Sequence, residues 1–180
     1  MTTVVVSDPP WRFGDRLPGK GRGAERLYPC LDVPGIVQAM APAMFAAGED
    51  CALLLWRVAA MQQEALDVCR AFGCIVKAEI VWEKLTRTGK PHFGMGRYVR
   101  ASHEVCLIAV RGRAFPECRS VRSRFGAPVS DHSRKPDAFY DLVRTLWPSA
   151  LKVELFARTT RPGWVQEGSE LGRWSAEGAA

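Results

Sequence analysis

The sequence predicts an α/β fold, a mostly parallel sheet with helices on both faces. Three observations lead to it. The runs at residues 3–7 and 51–56 are apolar at almost every position, as strands buried on both sides are. Helical patterns alternate with strand patterns along the chain, which is what crossover connections between parallel strands require. The 180 residues, 47% hydrophobic and 24% charged, suffice to bury one core without a disulfide or metal, so a single domain over residues 1–180 is expected.

Taken in order, the β-branched run TVVVS stops at Asp8-Pro9-Pro10, where two prolines end a strand and open a loop. Residues 12–29 hold Gly14, Gly19, Gly21 and Gly23 among five cations (Arg12, Arg16, Lys20, Arg22, Arg26), a basic loop by composition. A helix follows over residues 36–47, with Pro42 expected to kink or split it. After the strand at 51–56, an amphipathic helix over 59–72 stops at Gly73. Strands at 75–83 and 105–110 flank a second long basic loop, 84–100, of a length that is usually functional. Residues 111–124 are basic again. The run 136–146 opens on proline and places Phe139, Leu142, Val143 and Leu146 on one helical face. Strands at 151–156 and 164–167 complete the pattern. In such sheets ligands bind beyond the carboxyl ends of strands, so residues 8–11 and 157–161 are expected on one rim.

Lys and Arg number 25 against 19 Asp and Glu, a net charge of +6 that favours a polyanionic partner. Cys30, Cys51, Cys69, Cys74, Cys106 and Cys118 show no CxxC spacing, so neither zinc nor a disulfide framework is expected, and no metal. No signal-peptide pattern opens the chain and no apolar stretch nears about 18 residues, which predicts a cytoplasmic protein without a membrane partner.

Asp8-Pro9-Pro10-Trp11 concentrates chemistry. Asp8 brings a carboxylate to a strand end, the prolines stiffen the backbone and remove two N–H donors, and Trp11 adds a flat face. A planar base with an exocyclic amino group suits such an acceptor edge, its two N–H bonds directed at the Asp8 carboxylate and the Pro9 carbonyl. The plainer reading is a strand-ending turn closed by a core tryptophan.

VVVSDPPW, LYP (27–29), LLLW (53–56), IVWEK (80–84), GMGRYVRASHEVCLIAVRG (94–112), HSRKPDAFYDLV (132–143), ELFARTTRPGW (154–164) and GSEL (168–171) stand in one order along almost the whole chain. That series resembles the DPPW-type adenine-N6 methyltransferases, in form their compact phage and bacterial members more than the large eukaryotic ones. The resemblance implies a Rossmann-like domain that uses S-adenosylmethionine, in a permuted order where the catalytic strand precedes the cofactor-binding strand. Asp8, Pro9, Pro10 and Trp11 are then the catalytic set, with Asp8 also beside the cofactor. Lys135 matches the lysine that meets the methionine carboxylate, although read alone it is a solvated helix-start residue. Phe156 and Arg158 fall in the cofactor motif, with Ala157 where glycine is common, and Ser169-Glu170 match an Asn-Gln pair that holds the ribose. Trp11, Tyr28, Tyr98 and Glu104 match positions around the substrate adenine; Glu104 read alone is a structural hydrogen-bond partner. The implied partner is nucleic acid, with phosphates held by the cations of the first loop and by Lys84, Arg87, Lys90, Arg97 and Arg100. DNA is expected ahead of RNA; cytosine N4 as acceptor and a catalytically silent nucleic-acid-binding subunit are the rival readings.

Overall fold

The computed structural model describes residues 1–12, 30–96, 98–130, 134–169 and 171. Its elements run β1 (Thr3–Ser7), α1 (Val33–Ala46), β2 (Cys51–Arg57), α2 (Gln62–Ala71), β3 (Ile75–Leu85), β4 (His103–Arg111), β5 (Arg124–Pro128), α3 (Asp137–Leu146), β6 (Leu151–Leu155) and β7 (Val165–Glu167). The strands form one sheet in the order β5-β3-β4-β2-β1-β6-β7. β1 lies parallel to both β2 and β6, as do β3 to β5 and β6 to β7. β4 alone runs against its neighbours. The fold is thus the expected Rossmann-like α/β sheet, mostly parallel and helix-covered.

The alternation of side chains along a strand divides the core in two. Val5, Leu53 and Leu55 pack with α1 and α2 on one face. Val4, Val6, Leu54 and Trp56 pack with α3 on the other. That double burial explains why β1 and β2 are apolar at consecutive positions.

The structure departs from the expected boundaries where tertiary or capping interactions act. α1 starts earlier than residue 36 because the Asp32 side chain accepts a hydrogen bond from the Gly35 N–H (3.0 Å), an N-cap with proline in the first turn. Pro42 sits inside that helix without splitting it. β5 was not anticipated: Arg-Phe-Gly-Ala-Pro carries turn residues, and only pairing with β3 makes it a strand, at the sheet edge where proline is tolerated. The loop expected from residue 84 begins instead as an extension of β3 and a tight turn, closed by Thr86 N–H to the Lys90 carbonyl (2.7 Å). Among the described residues no helix is long and apolar enough to cross a membrane.

Candidate active site

The parallel register sets Ser7 beside both Leu55 and Leu155, so the chain leaves β1, β2 and β6 at one rim, as anticipated for residues 8–11 and 157–161. The Asp8-Pro9-Pro10-Trp11 turn is fastened on both sides. The Pro9 carbonyl accepts from the Trp11 N–H (2.9 Å), the Pro10 carbonyl accepts from the Leu31 N–H (2.8 Å), and the Arg12 N–H returns to the Leu31 carbonyl (2.9 Å). A carbonyl keeps a second lone pair after one such bond, so Pro9 remains an acceptor.

Trp11 corrects one expectation. The side chain is 4% exposed within the core beneath α1, and its indole N–H donates to the Trp56 carbonyl (3.0 Å). It presents no open face on which a base could stack; it ties the proline turn to the end of β2, the plainer of the two sequence readings.

Lys135 corrects another. Far from being a solvated helix-start residue, it is 8% exposed, and its ammonium lies 2.5 Å from Asp8 Oδ2 and 3.3 Å from Glu104 Oε2. It sits 5.2 Å from the centre of the Trp56 ring. Glu104 in turn meets Lys84 at 2.6 Å. Asp8, Lys135, Glu104 and Lys84 therefore form one alternating chain of charge drawn from β1, the approach to α3, β4 and β3. Burial alone would raise the Glu104 carboxyl, but Lys135 and Lys84 outweigh it and hold it below its ordinary value. For Lys135, burial works against the charged form, and Asp8 with Glu104 more than compensates, so the ammonium is held above its usual range. Lys84 is thus engaged inside the rim, over Trp82, and is not one of the free phosphate-holding cations.

A cleft beside this chain is lined by Asp8, Arg134, Lys135, Tyr140, Glu154, Phe156, Arg158, Thr159 and Arg161. Phe156 has φ 57°, a left-handed backbone that costs a non-glycine residue about 1–3 kcal/mol and marks sites where the chain must turn sharply under constraint. Ala157 is buried, its N–H bonded to the Glu167 carbonyl (2.9 Å), so Gly168 and exposed Ser169 come alongside Phe156-Ala157-Arg158. A Cβ on Gly168 would lie 2.2 Å from the Ala157 carbonyl oxygen, so glycine is needed at that approach.

Sequence reasoning missed the polar cluster under the cleft. Tyr140 donates to Glu154 Oε1 (2.5 Å), and Gln166 donates to Glu154 Oε2 (2.7 Å) and to the Thr159 carbonyl. Arg161 stacks on the Tyr140 ring, its guanidinium carbon 3.4 Å from the ring centre, and pairs with Asp137 at 2.5 Å. Burial pushes both the Glu154 carboxyl and the Tyr140 hydroxyl upward. The available signal was polar Lys152 and Glu154 alternating with apolar residues in LKVEL, which shows facing but not partners.

Tyr98 is 98% exposed and makes no part of this rim as it stands. Tyr28, Glu170, His132, Arg97 and the cations 16–26 lie outside the described residues. No group of three or more His, Cys, Asp or Glu arranged for a metal occurs among the described residues.

The site's donor set suits S-adenosylmethionine. A buried ammonium and a carboxylate match an amino-acid end, an aromatic ring matches a purine, and a serine hydroxyl with a guanidinium matches ribose oxygens. Comparison with known proteins agrees. The chain is 28% identical over 176 residues to an N(6)-adenosine-methyltransferase MT-A70-like protein of Arabidopsis thaliana, covering 93% of this chain and 23% of that one. It is 27% identical over 181 residues to the human N(6)-adenosine-methyltransferase catalytic subunit METTL3, covering 93% and 28%. It is 27% identical over 187 residues to the Type II methyltransferase M.MunI of a Mycoplasma species, covering 93% and 77%. The chain thus spans about a quarter of the adenosine methyltransferases and about three quarters of M.MunI. The MT-A70 model matches residues 2–170, and with the rim described above the chain belongs to the MT-A70 family of S-adenosylmethionine-dependent methyltransferases.

Proposed function

We propose that this chain transfers a methyl group to the N6 amino nitrogen of adenine in DNA. The observation that carries the chemistry is the Asp8 carboxylate at the rim, held by buried Lys135 and followed by a Pro9 carbonyl with a lone pair to spare. The adenine amino nitrogen is a poor nucleophile because its lone pair is drawn into the ring. Two fixed acceptors on its hydrogens favour tetrahedral geometry and stabilise the positive charge that grows on nitrogen. Asp8 and the Pro9 carbonyl are those acceptors, Pro10 fixes the edge, and Trp11 anchors it from beneath.

Bound S-adenosylmethionine supplies an electrophilic methyl on sulfur. Lys135 would meet its carboxylate, Phe156 and Arg158 would border its adenosine end, and Ser169 with Glu170 would hold its ribose. Methyl transfer is then largely a matter of alignment. The proton leaves an acidic ammonium product and can pass to Asp8 or water, so no dedicated histidine is required. Glu104 keeps Lys135 in place, and Tyr28 and Tyr98 match positions around the substrate adenine.

DNA is favoured because the chain matches most of the length of M.MunI but only a quarter of the adenosine methyltransferases. The adenosine for which the latter are named makes RNA adenine the second reading. Incubating the protein with labelled S-adenosylmethionine and separate DNA and RNA pools, then identifying the nucleoside by mass spectrometry, decides between them. N6-methyldeoxyadenosine is expected; label confined to RNA selects the second reading, and label in neither pool overturns both.

A further inference from the structure

The stretch from the end of β4 to the start of β5 is strongly cationic. Residues 111–124 contain five arginines against one glutamate, so this short stretch accounts for most of the net charge of +6. Arg111 is spent internally on the carbonyls of Met44, Phe72 and Gly48. Arg113, Arg119 and Arg122 are exposed and form no ion pair among the described residues, and Arg124, 71% exposed, meets Glu83 at only 3.4 Å. Glu117, the one acid, is turned away onto the Ser149 N–H and hydroxyl (3.0 and 2.9 Å).

The segment is irregular yet fixed. Its Glu117 N–H donates to the Leu146 carbonyl (2.8 Å), Trp147 Nε1 donates to the Ala114 carbonyl (3.3 Å), and the Ser123 carbonyl accepts from the Val81 N–H (2.7 Å). Arginines on a held backbone lose less freedom on binding, and their planar forks suit phosphate oxygens. The direction also matters. β5 runs parallel to β3, and both point to the rim where Asp8 lies, so the segment rises from Arg113, whose N–H is held by Asp50 just before β2, to Arg124 on the outer edge, with exposed Arg87 and Lys90 beyond the end of β3.

We propose that Arg113, Arg119, Arg122 and Arg124 form a track that binds the phosphodiester backbone of the substrate nucleic acid at a distance from the methylated base. The proposal rests on the nucleic-acid reading above. Asp8 and β5 are separated by four strand spacings, roughly 19 Å, and the register carries Arg124 through Val81 and Val105 to Arg57, level with the Asp8-Pro9 turn. That span corresponds to roughly six nucleotides of stacked strand. Contacts there would secure the substrate without reading its sequence.

The test uses fluorescein-labelled single-stranded oligonucleotides with one adenine, about 6 and about 24 nucleotides long, against the full chain and the variants R113Q/R119Q/R122Q and R119E/R122E. Anisotropy titrations at several salt concentrations are paired with methyl transfer at saturating cofactor, and circular dichroism confirms folding. The glutamine variant serves if charge reversal impairs folding. The wild type should bind the long strand more tightly, and the variants should lose about 10-fold or more on it, with a shallower salt slope by roughly 2. The short strand should be bound and methylated as before. Equal long-strand affinity and salt slope in wild type and variants overturns the track while leaving the methyltransferase reading intact. Failure of the wild type to methylate any nucleic acid overturns that reading and the track with it.

Discussion

At the residue scale, Lys135 decides how the rim behaves. One buried ammonium serves two carboxylates, so its loss leaves Asp8 and Glu104 facing each other without a counter-charge. Lys135→Met should cost about 3 kcal/mol of stability in chemical denaturation, the low end for breaking a buried pair because Asp8 keeps 32% of its side chain exposed. Cofactor affinity measured by calorimetry should fall as well, and unchanged affinity would remove Lys135 from the cofactor's neighbourhood. Asp8→Asn retains shape but gives up a charged acceptor and one of the two counter-charges of buried Lys135; the melting temperature should fall, methyl transfer by the still-folded variant should drop by about 10²–10³-fold, and full activity would end its catalytic role. Glu104 gives the pH dependence. Its carboxyl is held below its ordinary value, so its contribution is complete above the unfolded pKa of about 4.3 and is lost as pH falls through the lower folded value. Melting curves of Glu104→Gln should therefore show less acid-induced loss than wild type below about pH 4.3, and parallel curves would contradict the assigned pairing.

At the element scale, the cofactor wall is made where β6 ends and the chain returns past β7. Three constraints converge there: the left-handed Phe156, the buried Ala157, and the close approach of Gly168. Gly168→Ala should push the two segments apart, with cofactor affinity about 10-fold weaker and turnover at saturation less affected. Wild-type affinity in that variant would show that the approach has no bearing on the site. Beneath the wall, Glu154 links α3 through Tyr140 to β7 through Gln166, so the elements bordering the cleft share one polar hub.

At the scale of the whole molecule, stability is concentrated where the sheet is covered on both sides. β1 and β2 are central, buried on each face, and paired on each edge. Their amides should exchange with solvent most slowly in native-state hydrogen exchange, and those of the edge strands β5 and β7 much faster. Equal protection across the sheet would contradict this division. The catalytic rim extends from the most stable strands, a rigid base from which to hold a carboxylate in place, while the basic surface occupies the edge.

Much of this was legible in the residues alone. Consecutive apolar positions in TVVVS and CALLLW mark doubly buried strands because nothing polar can face either side, and two prolines after a strand force a loop at its carboxyl end. The series of motifs pointed to the methyltransferase family to which the chain belongs. Other features depended on distant pairing that no local pattern encodes. β5 exists only through hydrogen bonds to β3, Trp11 turned inward because the end of β2 offered its indole a carbonyl, and Lys135 met Asp8 127 positions away. Short-range propensity settles which segments become strands and helices. Which charges meet is settled by the sheet order, because it alone decides which strand ends share a rim.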